Sequence, residues 1–323
     1  MRLSIAMCTY NGEKYIREQL LSFHKQTTQV DEIIVCDDCS TDNTVRIVEE
    51  ISCKYNLPIK IFKNPKNLGY RKNFEQAICR CSGDLIFLSD QDDIWIPTKA
   101  ETIVQYFNKH PDKNFVFTNA QLVNALGVPC YNQTLFDVLG LDDRTMKLFD
   151  RGYELEILSI FCRVTGATCA FRASLMPYCL PLSSVVAHDE AIAMASAFLN
   201  QIGYINQCLI KYRQHPQQSI GLQMAIKHSA EYWEASYNIM MWHEALVEPS
   251  DKRNLDRLRF IYRRFWTIRS PWALVKLMRM YVAGNYRQFY TNHRSVFIWD
   301  IQALFYRLLH YNAVHTFDGQ KIK

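Results

Sequence analysis

Short apolar runs recur along the first part of the chain, and each one stops at a polar turn. Residues 3–8 (Leu-Ser-Ile-Ala-Met-Cys) form such a run and end at Asn11-Gly12, the pattern of a buried strand. Ile16, Leu20 and Phe23 follow at i, i+4, i+7, which predicts a helix with one apolar stripe. Residues 32–36 (Glu-Ile-Ile-Val-Cys) read as a second strand running into Asp37-Asp38. Ser40, Thr41 and Asp42 are helix-capping residues, and Val45, Val48 and Ile51 mark the helix behind them. Residues 59–62 predict a third strand, a turn at Asn67-Leu68-Gly69 leads into a helix carrying Phe74, Ala77 and Ile78, and residues 84–88 predict a fourth strand ending at Ser89-Asp90-Gln91-Asp92-Asp93. Alternation of this kind predicts the α/β class: a mostly parallel sheet with helices on both faces. Ligands bind such sheets at the carboxyl ends of the strands. Thr9-Tyr10-Asn11, Asp37-Asp38 and Asp90-Gln91-Asp92-Asp93 all fall there.

Past residue 225 the pattern changes to long helical stretches rich in Tyr, Trp, Arg and Leu. Charge changes with it. Residues 226–323 carry 15 Lys and Arg against 8 Asp and Glu, whereas residues 1–225 carry 22 against 24. Two domains are expected, residues 1–225 and a basic, aromatic-rich helical region at 226–323. The composition, 49% hydrophobic and 21% charged, excludes a disordered chain. The opening Met1-Arg2-Leu3-Ser4-Ile5-Ala6 reaches polar turn residues too early for a cleavable signal, and no apolar run reaches the length of a membrane span. A cytoplasmic protein, soluble or peripheral on the membrane's inner face, is expected. The eleven Cys read as reduced thiols. Cys36 and Cys39 have C-x-x-C spacing but no second pair or matching His cluster for a metal.

Five places carry candidate chemistry. Asp90 and Asp92, two apart in a loop past a buried strand, suit a hard divalent cation such as Mg2+ or Mn2+, with diphosphate oxygens and water completing its shell. The structural alternative is an acidic turn before the next helix. Asp37-Asp38 offers a carboxylate to the imide N–H of uracil or thymine, or a helix cap. In Gly69-Tyr70-Arg71-Lys72, Arg71 or Lys72 at a helix start meets a base or phosphate, or is a solvated basic turn. Asp189, in His188-Asp189-Glu190 at the head of an apolar helix, is a general base or a helix-dipole partner. In Tyr212-Arg213-Gln214-His215, Arg213 or His215 holds a diphosphate or completes the metal shell.

Met7-Cys8-Thr9-Tyr10-Asn11-Gly12, Val35-Cys36-Asp37-Asp38-Cys39-Ser40-Thr41-Asp42, Asn67-Leu68-Gly69 and Ser89-Asp90-Gln91-Asp92-Asp93-Ile94-Trp95 together resemble family 2 glycosyltransferases of the GT-A fold. Thr165-Gly166-Ala167, His188-Asp189 and Tyr212-Arg213-Gln214-His215 look like the rhamnosyltransferase-like branch. The resemblance covers about residues 1–220. It implies that Thr9, Tyr10, Asn11 and Asp38 bind the nucleoside, that Asp90 and Asp92 carry donor and metal, and that His188-Asp189 stands for the usual Glu-Asp base motif, with Asp189 the base. Cys39 stands where the family has glycine. The implied reaction is inverting, metal-dependent transfer from a UDP- or dTDP-sugar to a glycan or lipid-linked glycan in bacterial surface polysaccharide synthesis. The Gln-x-x-Arg-Trp motif of chain-extending synthases is absent from the sequence, which favours single additions.

Residues 252–294 hold 11 Lys and Arg and one acid, Asp256, interleaved with aromatics. That pattern fits basic amphipathic helices on an anionic membrane surface, or a helical subdomain with a solvated basic face. No nucleic-acid-binding motif accompanies it. Two further function classes stand beside sugar transfer. A sugar nucleotidyltransferase would need a glycine-rich basic phosphate loop, which Thr9-Tyr10-Asn11-Gly12 does not supply. A non-catalytic binding protein led by the tail would tolerate loss of Asp90, Asp92 and Asp189.

Overall fold

The computed structural model describes residues 1–160, 163–183, 186–218 and 272–289, with the single positions Asp256, Phe260, Arg263, Arg294, Phe297, Ile298 and Ile301. The chain divides into two compact units, Met1–Ile239 and Met240–Lys323. Strands β1 (Leu3–Thr9), β2 (Glu32–Asp37), β3 (Ile59–Lys63), β4 (Leu85–Ser89), β5 (Ile94–Trp95), β6 (Phe115–Val123), β7 (Pro129–Thr134), β8 (Cys169–Arg172) and β9 (Ile202–Arg213) form one sheet of the first unit. Its order is β3-β2-β1-β4-β8-β6-β9-β5, with β7 beside β6. Between the strands run α1 (Ile16–His24), α2 (Thr44–Tyr55), α3 (Tyr70–Arg80), α4 (Lys99–Lys109), α5 (Leu135–Val138), α6 (Asp143–Phe149), α7 (Glu154–Ile160), α8 (Met176–Cys179) and α9 (His188–Phe198).

The sheet changes character at its middle. β1 through β4 are mutually parallel, as the alternation of strand and helix predicts. β8 then inserts antiparallel to both β4 and β6, and β9 runs parallel to β6. Every residue of β1, β2 and β4 is buried. That is the mark of strands covered on both faces. Ile5, Ala6, Val35, Phe87, Leu88, Phe115 and Phe171 are almost wholly removed from water, and this continuous apolar layer holds the strand ends in place.

At the opposite edge from the polar loops, Glu32 ties the strand starts together. Its buried carboxylate accepts hydrogen bonds from Ser4 of β1, from the backbone and hydroxyl of Ser82 ahead of β4, and from Lys60 of β3. Burial alone would raise its pKa, but these donors outweigh it and hold the carboxyl near 2, against an ordinary 4.5.

In the second unit, α10 (Ala273–Val282) and α11 (Asn285–Phe289) follow one another around Gly284, whose φ is +78°. Ala273 and Leu277 are buried, with Phe297 and Ile301 packed against them. Phe260 meets Tyr286 edge-on at 5.2 Å, and Tyr281 stacks on Phe297 at 4.3 Å. Most of the helical region expected after residue 225 lies outside the described residues.

A group whose folded pKa is depressed contributes stability above its unfolded pKa and loses it as pH falls. Glu32 therefore contributes above about 4.5, and its contribution fades as pH falls toward 2. Glu32→Gln is expected to cost about 2 kcal/mol at pH 7. Urea unfolding across a pH series should show that gap closing toward pH 2.

Candidate active site

Three loops at the carboxyl ends of β1, β2 and β4 meet through side chains that bond across them. Asp37 is buried and accepts from Thr9 Oγ1 at 2.7 Å, from Ser40 Oγ at 2.6 Å and from the Ser40 backbone at 2.9 Å. It is a loop clamp. Asn11 sits at φ +46° and Cys39 at φ +70°, a left-handed geometry that glycine adopts most easily. Here the turn keeps that geometry with a cysteine. It is held by Asn11 Oδ1, which accepts from the Thr41 backbone, and by Ser40 Oγ, which accepts from the Asn11 backbone. Cys36 is buried and Cys39 exposed, and both are free thiols. Burial lifts the Cys36 thiol to about 11, which keeps it unreactive.

Asp38 faces the next turn. Its carboxylate accepts from Asn64 Nδ2 at 2.9 Å and from the backbones of Leu68 and Gly69 at 2.8 and 2.9 Å. Gly69, at φ +80°, presents that N–H at the head of α3. Tyr10 stands 48% exposed at the rim. Arg71 lies over the Tyr70 ring at 4.6 Å, and its buried Nε has no hydrogen-bond partner.

The Asp90–Asp93 loop is fixed from both sides. Gln91 pairs its side-chain amide with the backbone of Tyr10, accepting from N–H and donating to C=O at 2.8 and 2.9 Å. Any Cβ at position 12 would collide with that amide, which explains Gly12. On the other side, the end of β9 brings in Arg213, only 1% exposed. Its guanidinium donates to Asp92 O (2.7 Å), Ala125 O (2.9 Å) and Glu18, and lies over the Tyr15 ring at 4.8 Å. The Arg213 backbone donates to Asp93. This side chain, expected at the donor, is thus engaged entirely with protein. Two residues on, His215 Nε2 lies 2.8 Å from Asp92 Oδ2, with its ring tilted against Tyr15 at 4.6 Å.

Four carboxylates crowd this ring. Asp90 is raised to about 8 by desolvation, then by the charges of Asp92 and Asp189, with Lys99 pulling the other way. Asp93 is buried, raised well above the ordinary range by desolvation and by Asp92 and Asp90, and leaves Oδ2 without a partner. Beneath them Lys99 is fully buried, 3.9 Å over the Trp95 ring, and donates to Ala167 O at 2.7 Å. Burial lowers its ammonium to about 7, although Asp93, Cys169 and Asp90 favour its charge.

Asp189 opens α9 and closes the ring. Its Oδ2 accepts from the Gly166 backbone at 2.6 Å, and its Oδ1 from Glu190 N at 2.9 Å. His188 stacks on Phe74 at 3.8 Å and 9°, with both ring nitrogens unpartnered and its pKa lowered by burial. A Cβ at Gly166 would press on His188 and on Asp189.

The structure therefore brings together Thr9, Tyr10, Asn11 and Asp38 at one corner, Asp92 and His215 at a second, and Asp189 at a third, with Asp90 between the last two. Among the described residues no three His, Cys, Asp or Glu side chains form a ready metal cage. Asp92 and His215 are the pair in contact. Lys99 and Glu18 were not singled out from sequence, and Gln91 and Gly166 were named only inside motifs, with no role of their own. Lys99 carried a signal, since it shares the i, i+4, i+8 stripe with buried Ile103 and Phe107.

An acid whose folded pKa is raised contributes stability only below its unfolded pKa, and loses it as pH rises through the folded value. Asp90 thus weakens the ligand-free fold progressively between pH 4 and 8. Asp90→Asn is expected to stabilise the protein by about 1–2 kcal/mol at pH 8, with no difference below pH 4. Thermal melts at the two pH values check this.

Residues 4–160 match the family model described as "Glycosyl transferase family 2". An uncharacterised glycosyltransferase of Nostoc sp. is 23% identical over 318 residues, covering 90% of this chain and 92% of that protein. The dTDP-rhamnosyl transferase RfbG of Shigella flexneri is 27% identical over 236 residues, covering 68% and 75%. The crystal structure of S. aureus TarS 1-349 in complex with UDP-GlcNAc superposes with a TM-score of 0.59 at 18% identity, covering 94% of this chain and 92% of that one. It shares the fold, the GT-A arrangement expected from the resemblance. Uncharacterised mycobacterial proteins are 33% identical over 123 residues, and the matched part spans 36% of their length. The segment that matches the glycosyl transferase family 2 model carries all three strand-end loops that build this ring.

Proposed function

We propose that the chain is an inverting glycosyltransferase that moves a hexose or deoxyhexose from a UDP- or dTDP-sugar to a glycan or lipid-linked glycan acceptor. The observation carrying this is the ring itself: Asp38 at the nucleoside corner, the Asp92–His215 contact at 2.8 Å, and the Asp189 carboxylate held by Gly166 N–H. The dTDP-rhamnosyl transferase relative supports a dTDP-deoxyhexose donor among the candidates. Surface polysaccharide assembly and a cytoplasmic, membrane-peripheral location belong to the same reading. Among the described residues no helix is long and apolar enough to cross a membrane.

Asp38 accepts the imide N–H shared by uracil and thymine, with Thr9, Tyr10 and Asn11 around it. Arg71, with its unpartnered buried Nε, turns to the base or a phosphate. Asp92 would hold a hard divalent cation through its carboxylate, with the His215 imidazole beside it as a second ligand. One or two protein ligands are what Mg2+ takes when diphosphate and water supply the rest. An ion held by these residues would supply positive charge opposite a departing diphosphate. Asp90 completes the donor side.

Asp189 takes the proton from the acceptor hydroxyl. The freed oxygen bonds to the anomeric carbon from the face opposite the diphosphate, which leaves with the electron pair of the broken C–O bond. One displacement inverts the anomeric centre, through an oxocarbenium-like transition state. Arg213 acts by position: it holds the Asp92 backbone and sets the start of the turn that delivers His215.

A thermal-shift panel of UDP, dTDP, GDP, ADP and CMP with and without Mn2+ tests the donor site. UDP or dTDP with metal should stabilise the wild type by about 2.7 kcal/mol at 100 times its Kd, and Asp92→Ala should abolish the shift. No shift from any nucleotide would overturn the donor reading. For the base, Asp189→Asn should lower kcat by about 10²–10⁴ and leave the nucleotide shift unchanged. Steady-state transfer assays check it.

A further inference from the structure

The outward face of α10 has a two-sided chemistry that the catalytic ring does not use. At about 100° per residue, buried Ala273 and Leu277 fall on one arc together with half-buried Met280 and Tyr281. Leu274, Met278, Val282 and Val275 fall on a neighbouring contiguous arc of about 100°, its centre about 120° round the helix from that of the first. They are 49%, 46%, 80% and 47% exposed. Exposed Arg279 and Lys276 border that arc on one edge, on the same side as Trp272, which is 69% exposed. A helix that buries one apolar stripe and turns a second to water, beside a basic edge, has the design of an interfacial helix.

We propose that this face docks in the plane of an anionic lipid bilayer, with Leu274, Met278 and Val282 entering the acyl boundary and Arg279 and Lys276 at the headgroups. Charge selects this occupant. Residues 257–299 hold nine Lys and Arg and no Asp or Glu, so the field around α10 attracts anionic headgroups over about a Debye length. The same charge opposes pairing with a second copy, because a two-fold contact sets basic edge against basic edge. The proposal deepens the membrane part of the function proposed above. It does not depend on sugar transfer, and its test uses no donor.

The test is flotation of the full chain with phosphatidylcholine vesicles, with and without phosphatidylglycerol, across a salt series. Binding should require the anionic lipid and weaken with salt. Arg279→Gln should lower the partition coefficient about fivefold. Leu274→Glu combined with Met278→Glu should lower it at least tenfold, with an unchanged melting curve. Should that double variant not fold, Arg279→Gln and the salt series decide alone. Fluorescence quenching by brominated lipid should diminish in Trp272→Phe. Equal binding to neutral and anionic vesicles, or no binding at all, overturns the proposal. So does a doubled mass by light scattering that the double variant abolishes. Loss of vesicle binding with the nucleotide shift intact removes only this proposal and leaves the donor reading standing.

Discussion

A single buried cation organises the site. The Arg213 guanidinium lies out of water and is met by two backbone carbonyls, the Glu18 carboxylate and the face of Tyr15. An uncompensated charge at this depth would cost several kcal/mol. The planar fork satisfies several acceptors in different directions at once, which a lysine ammonium on a flexible stem does less well. Its backbone also donates to Asp93. Glu18 belongs to α1, Ala125 to the turn after β6, and Asp92 to the loop after β4. One residue therefore closes three segments onto the last strand, and His215 reaches Asp92 only because Arg213 has already fixed both chains.

What that cation cannot do is neutralise the ring in front of it. Desolvation disfavours charge at Asp90 and Asp93, and the neighbouring carboxylates add to it: Asp92 and Asp189 at Asp90, Asp92 and Asp90 at Asp93. Lys99 supplies a positive charge from below, yet burial lowers its own hold on a proton. Perturbed carboxylates and a perturbed lysine gathered at strand ends are a common mark of functional sites. Fold stability is conceded locally and recovered elsewhere, partly by the Glu32 tie at the far end of the same strands.

The first four strands and the polar loops behind them were legible because each strand is a short apolar run cut by turn residues. The later half was harder. β8 is only four residues, Cys-Ala-Phe-Arg, too short for any periodicity to declare its direction. Its antiparallel entry depends on partners distant in sequence. Among the candidate site residues, Asp38, Asp92, His215 and Asp189 were visible as carboxylates and an imidazole at element ends. Arg213 was visible too, but its arginine chemistry fits a phosphate and a buried protein network equally well, and only the fold distinguishes them. Gln91 was invisible as a binding element, because an amide that pairs with the backbone of Tyr10 leaves no pattern in sequence. The basic tail was legible as composition. Its arrangement, apart from α10 and α11, lies outside the described residues.

Lys99 joins the two halves of the proposed reaction. It sits under the Asp90–Asp93 loop, close enough for Asp90 and Asp93 to act on its charge, and it donates to Ala167 O. Gly166, the neighbouring residue, donates its N–H to Asp189. A Cβ at Gly166 would press on Asp189 and His188, so the Asp189 carboxylate approaches that backbone only because glycine stands there. The links run from the Asp90–Asp93 loop to Lys99 through charge, to Ala167 through a hydrogen bond, to Gly166 through the peptide bond and to Asp189 through a second hydrogen bond. A displacement in which the nucleophile and leaving group lie on opposite faces of one carbon tolerates little slack between base and donor. A short, buried tether between the two sides of the ring is the kind of connection that requirement favours.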